Sequence, residues 1–430
     1  MDLRGIGQVM KDSKGDNNHP VSSSSDGRSN PHADADSATA LQLFLDRIPI
    51  NSIPGINNSS TVSELKKGDC LADAIRLMYK KNVFGAPIAD DVLDSDTTTN
   101  KFLDKFMGFI DFPTMVLWCL EECEDVHIHT KDEEGNEMGS NSFFSMLDQN
   151  PRVAQTKIGE LAKSFLWDPF FPVNLENTLF HVMLLLSKHP LQFVPVTEQS
   201  SSKVIGFVSQ NAVIQLLFQS SGLEWFDSIA DKALSEFHYE NDEHVVHVYG
   251  DQSIAEAIHI LWKKRIGAVA VVERETNRLI GCVRSTDLHL LLDNDDLFSN
   301  RKSVTVEKFI HMDTSKVDSD PTIERDLGAL LSAGTPALRN NFLPRMDSPV
   351  TNRKTDTLKQ AMKNLAERKC NFSFLIDESH QVKGMLILRD IITQFSPPSV
   401  DSTFKGGGFF DTALEQTGCH VERGTIICDH

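Results

Sequence analysis

The sequence is 430 residues long, 40% hydrophobic, and carries a formal net charge of −19. That length and apolar content suit two to four domains with real cores. The acidic balance argues against nucleic acid or an anionic membrane as the main partner, since both need Lys- and Arg-rich surfaces.

No stretch reaches the ~18 apolar residues of a spanning helix. The N-terminus, "MDLRGIGQVMKDSKGDNNHP", lacks the apolar core of a secretory signal. Seven scattered cysteines make no disulfide framework, which points to a reducing interior, cytosol or nucleus. Residues 1–40, rich in Ser, Asp, Asn, Gly and His, read as disordered.

From residue 61 onward one pattern recurs four times. Leu71, Ala74, Ile75, Met78 and Tyr79 lie on one face of a predicted helix, followed by the strands "FGAPIAD" and "FMGFIDF". Leu179, Val182, Met183 and Leu186 repeat the spacing before "QFVPVTE" and "VIGFVSQ". Ile254, Ala257, Ile258, Leu261 and Trp262 precede "AVAVVE", a turn, "RLIGCVR" and the second helix "STDLHLLLD". Leu358, Ala361, Met362, Leu365 and Ala366 precede "FSFLIDE" and "VKGMLIL". The order is helix–strand–strand–helix, with Gly108, Gly206, Gly281 and Gly384 as the hairpin glycines. Asp69, Asn177 and Asp356 stand two before their helices as predicted N-caps, and Ser253 is the better candidate in the third copy.

The expected fold class is α/β, with units at 61–120, 157–220, 228–293 and 304–396. One such unit cannot bury both faces of its sheet, so two pairs are expected, roughly 61–220 and 228–396. The fourth unit carries an insertion at 312–350, expected as a surface excursion with a short helix near Leu327–Leu331. Residues 397–430 read as a loosely docked tail.

This pattern resembles the cystathionine-β-synthase (CBS) domain. Four copies in tandem resemble the γ regulatory subunit of AMP-activated and sucrose-nonfermenting-type protein kinases, particularly the plant γ-like branch. The resemblance implies kinase catalytic and β-type subunits as partners and adenine nucleotide (AMP, ADP or ATP) as ligand, with no required cofactor. It also implies a Ser/Thr-x-x-Asp motif after the last strand, whose Asp binds the ribose hydroxyls. Aligned on the glycines, the Asp register holds Thr114, Ala212, Asp287 and Asp390, and the Ser/Thr register holds Asp111, Ser209, Arg284 and Ile387. The basic pair expected before the first hairpin strand is replaced by Phe84, Gln192-Phe193 and Asn371-Phe372; Lys264-Arg265 alone are basic.

A nucleotide site is therefore expected only in the second pair. Its candidates are Asp287 and Asp390 for ribose, Arg284, Arg389 and Lys264 for phosphate, and Gly267 and Ala268 leaving room for a base. The two carboxylates would face one cleft. Asp287 is equally well placed for helix N-terminal chemistry.

Cys119, Cys123 and His127 have helical spacing that would suit zinc, but the surrounding acids favour an exposed helix end. Cys419, His420, Cys428 and His430 are a weaker clip, and no metal site is assigned. Phe165, Leu166, Trp167, Phe170 and Phe171 read as core, with a partner-binding patch as the other reading. No Gly-x-Ser-x-Gly elbow, Walker A loop, His-Glu-x-x-His helix or kinase signature occurs. The expectation is a non-catalytic regulatory or adaptor protein, either a ligand sensor or a scaffold whose ligand sites have decayed.

Overall fold

Each repeat begins with a short strand that hydrophobic periodicity does not reveal. In the computed structural model, which describes residues 40–53, 56, 62–90, 106–129, 141–164, 170–198, 203–237, 245–312, 337–339, 343–396, 419–422 and 425–428, four three-stranded sheets each carry one. These leading strands are β1 (Leu65–Lys66), β4 (Val173–Asn174), β7 (His247–Tyr249) and β10 (Thr351–Asn352). Each pairs in parallel with the first strand of its hairpin, and always 23 residues ahead of its partner: Leu65 with Ile88, Val173 with Val196, Val248 with Val271, Asn352 with Leu375. Two or three residues are too few to show alternation.

The hairpins are β2 (Gly85–Ala89) with β3 (Phe106–Asp111), β5 (Phe193–Thr197) with β6 (Val204–Ser209), β8 (Ala268–Val272) with β9 (Leu279–Arg284), and β11 (Phe372–Ile376) with β12 (Val382–Ile387). Gly108, Gly206, Gly281 and Gly384 face Ile88, Val196, Val271 and Leu375, the fourth residue of each first strand, and a bulge follows every time. The four glycines thus hold one structural position. At Gly281 the reason is steric, because an added Cβ would meet Ile310 Cδ1 at 2.5 Å and Met346 O at 2.8 Å.

The helices before the hairpins are α1 (Leu71–Lys81), α3 (Leu179–Lys188), α5 (Ile254–Lys264) and α7 (Leu358–Arg368). Their apolar faces are buried as the spacing predicts, with Leu71, Leu179, Ile254 and Leu358 all at 1% exposure or less. The recurring polar residues two before each helix have a different task. Asp69, Asn177, Gln252 and Asp356 accept the N–H of Lys66, Asn174, Tyr249 and Arg353, three residues back, and so close the turn out of each leading strand. The caps are the next residues along. Ser253 accepts from Glu256 N–H and Thr357 from Gln360 N–H.

The helices after the hairpins are α2 (Phe112–His129), α4 (Gln210–Phe218), α6 (His289–Asp293, entered through a 3-10 turn at Ser285–Leu288) and α8 (Leu388–Phe395). They join units across the molecule. One core contains Leu71, Phe112 and Leu120 of the first unit with Ile254, Leu261 and Leu291 of the third. Another contains Leu179, Val213 and Leu217 of the second with Leu358, Ile391 and Phe395 of the fourth. Hairpins meet within the expected pairs: Phe109 and Phe207 pack between units 1 and 2, and Leu279 N–H donates to His380 O between units 3 and 4.

The insertion is more than an excursion. Its returning limb docks on two units: Leu338 is buried in the core of units 1 and 3, and Met346 O accepts from Cys282 N–H. The helix expected near Leu327–Leu331 lies outside the described residues, as do residues 1–39 and Phe165, Leu166 and Trp167. Phe170 and Phe171 are half-buried and buried, as a core role requires. In the tail, Cys419–Glu422 and Thr425–Cys428 pair with each other as an antiparallel hairpin. No helix among the described residues is long and apolar enough to cross a membrane.

Candidate functional site

The candidate site grows from the junction where each hairpin delivers the chain into its second helix. Four N–H groups at a helix start need acceptors, and the four units meet that need in two ways. In units 1 and 2 the first residue of the motif caps: Asp111 accepts from Thr114 N–H at 2.7 Å and Ser209 from Ala212 N–H at 3.2 Å. In units 3 and 4 the last residue reaches back: Asp287 accepts from Arg284 N–H at 2.9 Å and Asp390 from Ile387 N–H at 3.0 Å. Each unit keeps half of a reciprocal capping box.

Asp287 does more than cap. Arg284 Nε lies 2.8 Å from Oδ2 and 3.1 Å from Oδ1, and Nη2 lies 2.8 Å from Oδ1. With the Arg284 N–H, both carboxylate oxygens accept two hydrogen bonds. The remaining nitrogen, Nη1, donates to Pro344 O at 2.8 Å. Arg284 is 8% exposed and Asp287 4%, so this is a buried fork-to-fork pair. Cys282 of unit 3 and Cys370 of unit 4 are buried beside it, and burial pushes both thiols up, away from the reactive thiolate.

Around that pair, Gly267 leaves open space and Ala268 is buried opposite Arg284 in the hairpin register. Lys264 stands exposed at the end of α5. Asp390 and Arg389 form the other part of the set. Among the described contacts, the Asp390 side chain takes one hydrogen bond, that of Ile387. Burial raises its carboxyl above the ordinary value, against that bond and the Arg389 charge. Arg389 reaches into unit 2, where Nη2 donates to Ser187 O at 3.3 Å and Lys188 O at 3.4 Å, the last carbonyls of α3. Its Nε is buried without a hydrogen-bond partner. The structure therefore groups Asp287, Arg284, Gly267 and Ala268 in unit 3, keeps Asp390 at the start of α8, and sets Arg389 against α3.

The corresponding cleft of the first pair is filled. Phe193 packs at 5.8 Å from both Phe84 and Phe109, and Phe109 at 5.4 Å from Phe207. A Cβ on Gly85 would run into the Phe109 ring. Phe109 was not singled out from sequence, and its place opposite Phe207 depends on the meeting of two hairpins. Two acids of α2 are likewise engaged: Glu121 pairs with His259 at 2.9 Å and Glu124 with Arg301 at 3.2 Å. Cys119 and Cys123 are core residues of α2, and no cluster of metal-ligating side chains occurs among the described residues.

The CBS domain family matches residues 239–293, the segment that holds α5, the hairpin and the Arg284–Asp287 junction. The chain is a tandem CBS-domain protein. It is homologous to the "SNF1-related protein kinase regulatory subunit gamma-1" of Arabidopsis thaliana, 25% identical over 82% of this chain and 83% of that protein. The "regulatory subunit gamma-1-like" protein of the same plant is 22% identical over 82% of this chain and 86% of its own. Among solved structures, a Methanocaldococcus jannaschii protein likened in its description to γ-AMPK aligns with a TM-score of 0.49 and 12% identity, over 81% of this chain and 100% of that one. The four sheets with their flanking helices are the tandem CBS fold expected from the repeats.

Proposed function

We propose that this CBS protein is a non-catalytic regulatory or adaptor subunit of an SNF1-type kinase complex, meeting the kinase catalytic and β-type subunits as a preformed four-unit body in the cytosol or nucleus. Homology to two regulatory γ subunits over most of their length supports the kinase context. The scaffold version is favoured by one observation: the Asp287 carboxylate at the ribose register is already saturated by Arg284 and the Arg284 N–H. The filled phenylalanine cleft of the first pair points the same way.

A second reading, adenine-nucleotide sensing confined to the second pair, draws on Asp390, whose carboxylate takes a single described hydrogen bond, and on the open space at Gly267. In that reading Arg389 and Lys264 supply phosphate charge. Ligand binding would regulate only through different affinities for two conformations of the pair. Co-expression with SNF1-type catalytic and β-type subunits, followed by co-purification, tests the kinase assignment; a chain that elutes alone sinks it. Calorimetry against AMP, ADP, ATP and S-adenosylmethionine separates the two readings, since the scaffold shows no saturable heat.

A further inference from the structure

The buried ion pair of unit 3 raises a physical question. Taking two charges out of water is costly unless good geometry and further hydrogen bonds compensate. Here every side-chain nitrogen of Arg284 is engaged, and one of them leaves the unit's own motif. Nη1 donates 2.8 Å to Pro344 O, on the limb that returns from the insertion toward β10. Two residues on, Met346 O accepts from Cys282 N–H at 2.8 Å, next to Gly281, whose missing Cβ makes room for that carbonyl. Met346 itself is 3% exposed. The limb is thus fastened along the outer edge of β9 by a backbone bond and by the guanidinium fork.

We propose that Arg284 is the built-in occupant of the Asp287 carboxylate, and that in this role it latches residues 343–350 onto unit 3 and makes the site reject a ribose. The inference deepens the proposed function and rests on its assignment of Asp287 to the ribose register. A cis-diol needs acceptor positions on the carboxylate, and all four short donor contacts there come from Arg284. For a diol to enter, the guanidinium must leave, and Pro344 O loses its donor in the same movement. A ligand on Asp287 and a fastened limb therefore exclude one another. Arg284 acts by position and specificity, through Asp287 and Pro344.

Hydrogen–deuterium exchange of the full chain tests this. Arg284→Lys keeps the charge but loses the fork, so it cannot serve Asp287 and Pro344 together. Peptides covering 279–284, where Cys282 N–H donates to Met346 O, and 343–350, where Ser348 N–H donates to Arg345 O, should exchange about tenfold faster in Arg284→Lys than in wild type, while peptides of β6 and α4 in unit 2 stay unchanged. Arg284→Gln combined with Asp287→Asn leaves no orphaned buried charge and should loosen the same peptides. A folded Arg284→Lys chain, or a folded double variant, with wild-type protection across 279–284 and 343–350 overturns the latch. So does ATP that binds wild type through Asp287, shown by its loss in Asp287→Asn, while the limb stays protected. Failure of the kinase assignment is read separately, in co-purification, and leaves these exchange rates untouched.

Discussion

Phe84 of unit 1 and Phe193 of unit 2 meet across the first pair with ring centroids 5.8 Å apart, at positions where the family resemblance implies phosphate-binding charge. Apolar rings thus occupy the space between the two hairpins, and Phe207 behind them is 2% exposed. Truncating such a ring loses its transfer free energy and leaves a cavity. Phe207→Ala should cost ~3–5 kcal/mol of stability, read from urea melts. A loss below about 1 kcal/mol would mean that the ring is not packed as described.

Two glycines make a matched pair of tests. Gly281→Ala places a Cβ 2.8 Å from Met346 O and 2.5 Å from Ile310 Cδ1, and should destabilise by ~1–3 kcal/mol as overpacking. Gly267→Ala meets nothing within 4 Å, and should stabilise by ~0.4–1 kcal/mol through the unfolded chain's lost freedom. Thermal or urea unfolding of both variants checks the contrast, and a reversed order would contradict the placement of the returning limb.

Tyr79 joins three segments. Its hydroxyl donates to Asp293 of unit 3, and Arg339 of the insertion stacks 4.4 Å above its ring while Arg339 Nη2 bonds Asp293 at 2.7 Å. Burial first, then the Asp293 hydrogen bond and charge, push the phenol up to about 12, against the opposing influence of Arg339. An unfolded tyrosine titrates near ~10, so the unfolded state releases its proton first. The contribution of this phenol to stability is intact below ~10 and is lost as pH rises toward the folded value. Ultraviolet titration should show one tyrosine shifted upward, and Tyr79→Phe should abolish that transition. A Tyr79→Phe curve identical to wild type would count against the network.

Asp390 separates sensor from scaffold. Its carboxylate accepts Ile387 N–H at the start of α8, so Asp390→Ala should cost ~1 kcal/mol of folding stability, the scale of a lost helix cap. On the scaffold reading, calorimetry finds no nucleotide binding in wild type or variant. Saturable binding that weakens by ~1.5–3 kcal/mol in the variant, the scale of a charged hydrogen bond, selects the sensor.

The repeats were legible because each uses a strong local signal. Apolar residues at helical spacing need only a neighbouring surface to bury them, and Leu71, Leu179, Ile254 and Leu358 are all buried where the spacing placed them. The hairpin glycines were legible as well, since the register they share is the same number of residues along each strand. The leading strands were not, because two or three residues carry no period. Asp69, Asn177, Gln252 and Asp356 were visible as a recurring polar position, but the side chain that accepts N–H three residues back looks, in sequence, like a cap.

The site divides differently. Sequence by itself determined that, at the register where the family resemblance implies a ribose carboxylate, only units 3 and 4 carry one, and that the basic residues expected in three of the units are absent. Tertiary structure decided what those carboxylates do. Arg284 occupies the register of a small hydroxyl residue, and nothing local dictates whether its long side chain points to solvent, to a ligand or back to Asp287. That choice depends on Pro344, 60 residues away, offering a carbonyl at the far end of the fork. The helices that join unit 1 to unit 3 and unit 2 to unit 4 were equally out of reach. Apolar faces say that they must be covered, and only the folded chain says by which partner, because burial is non-directional and many faces would serve.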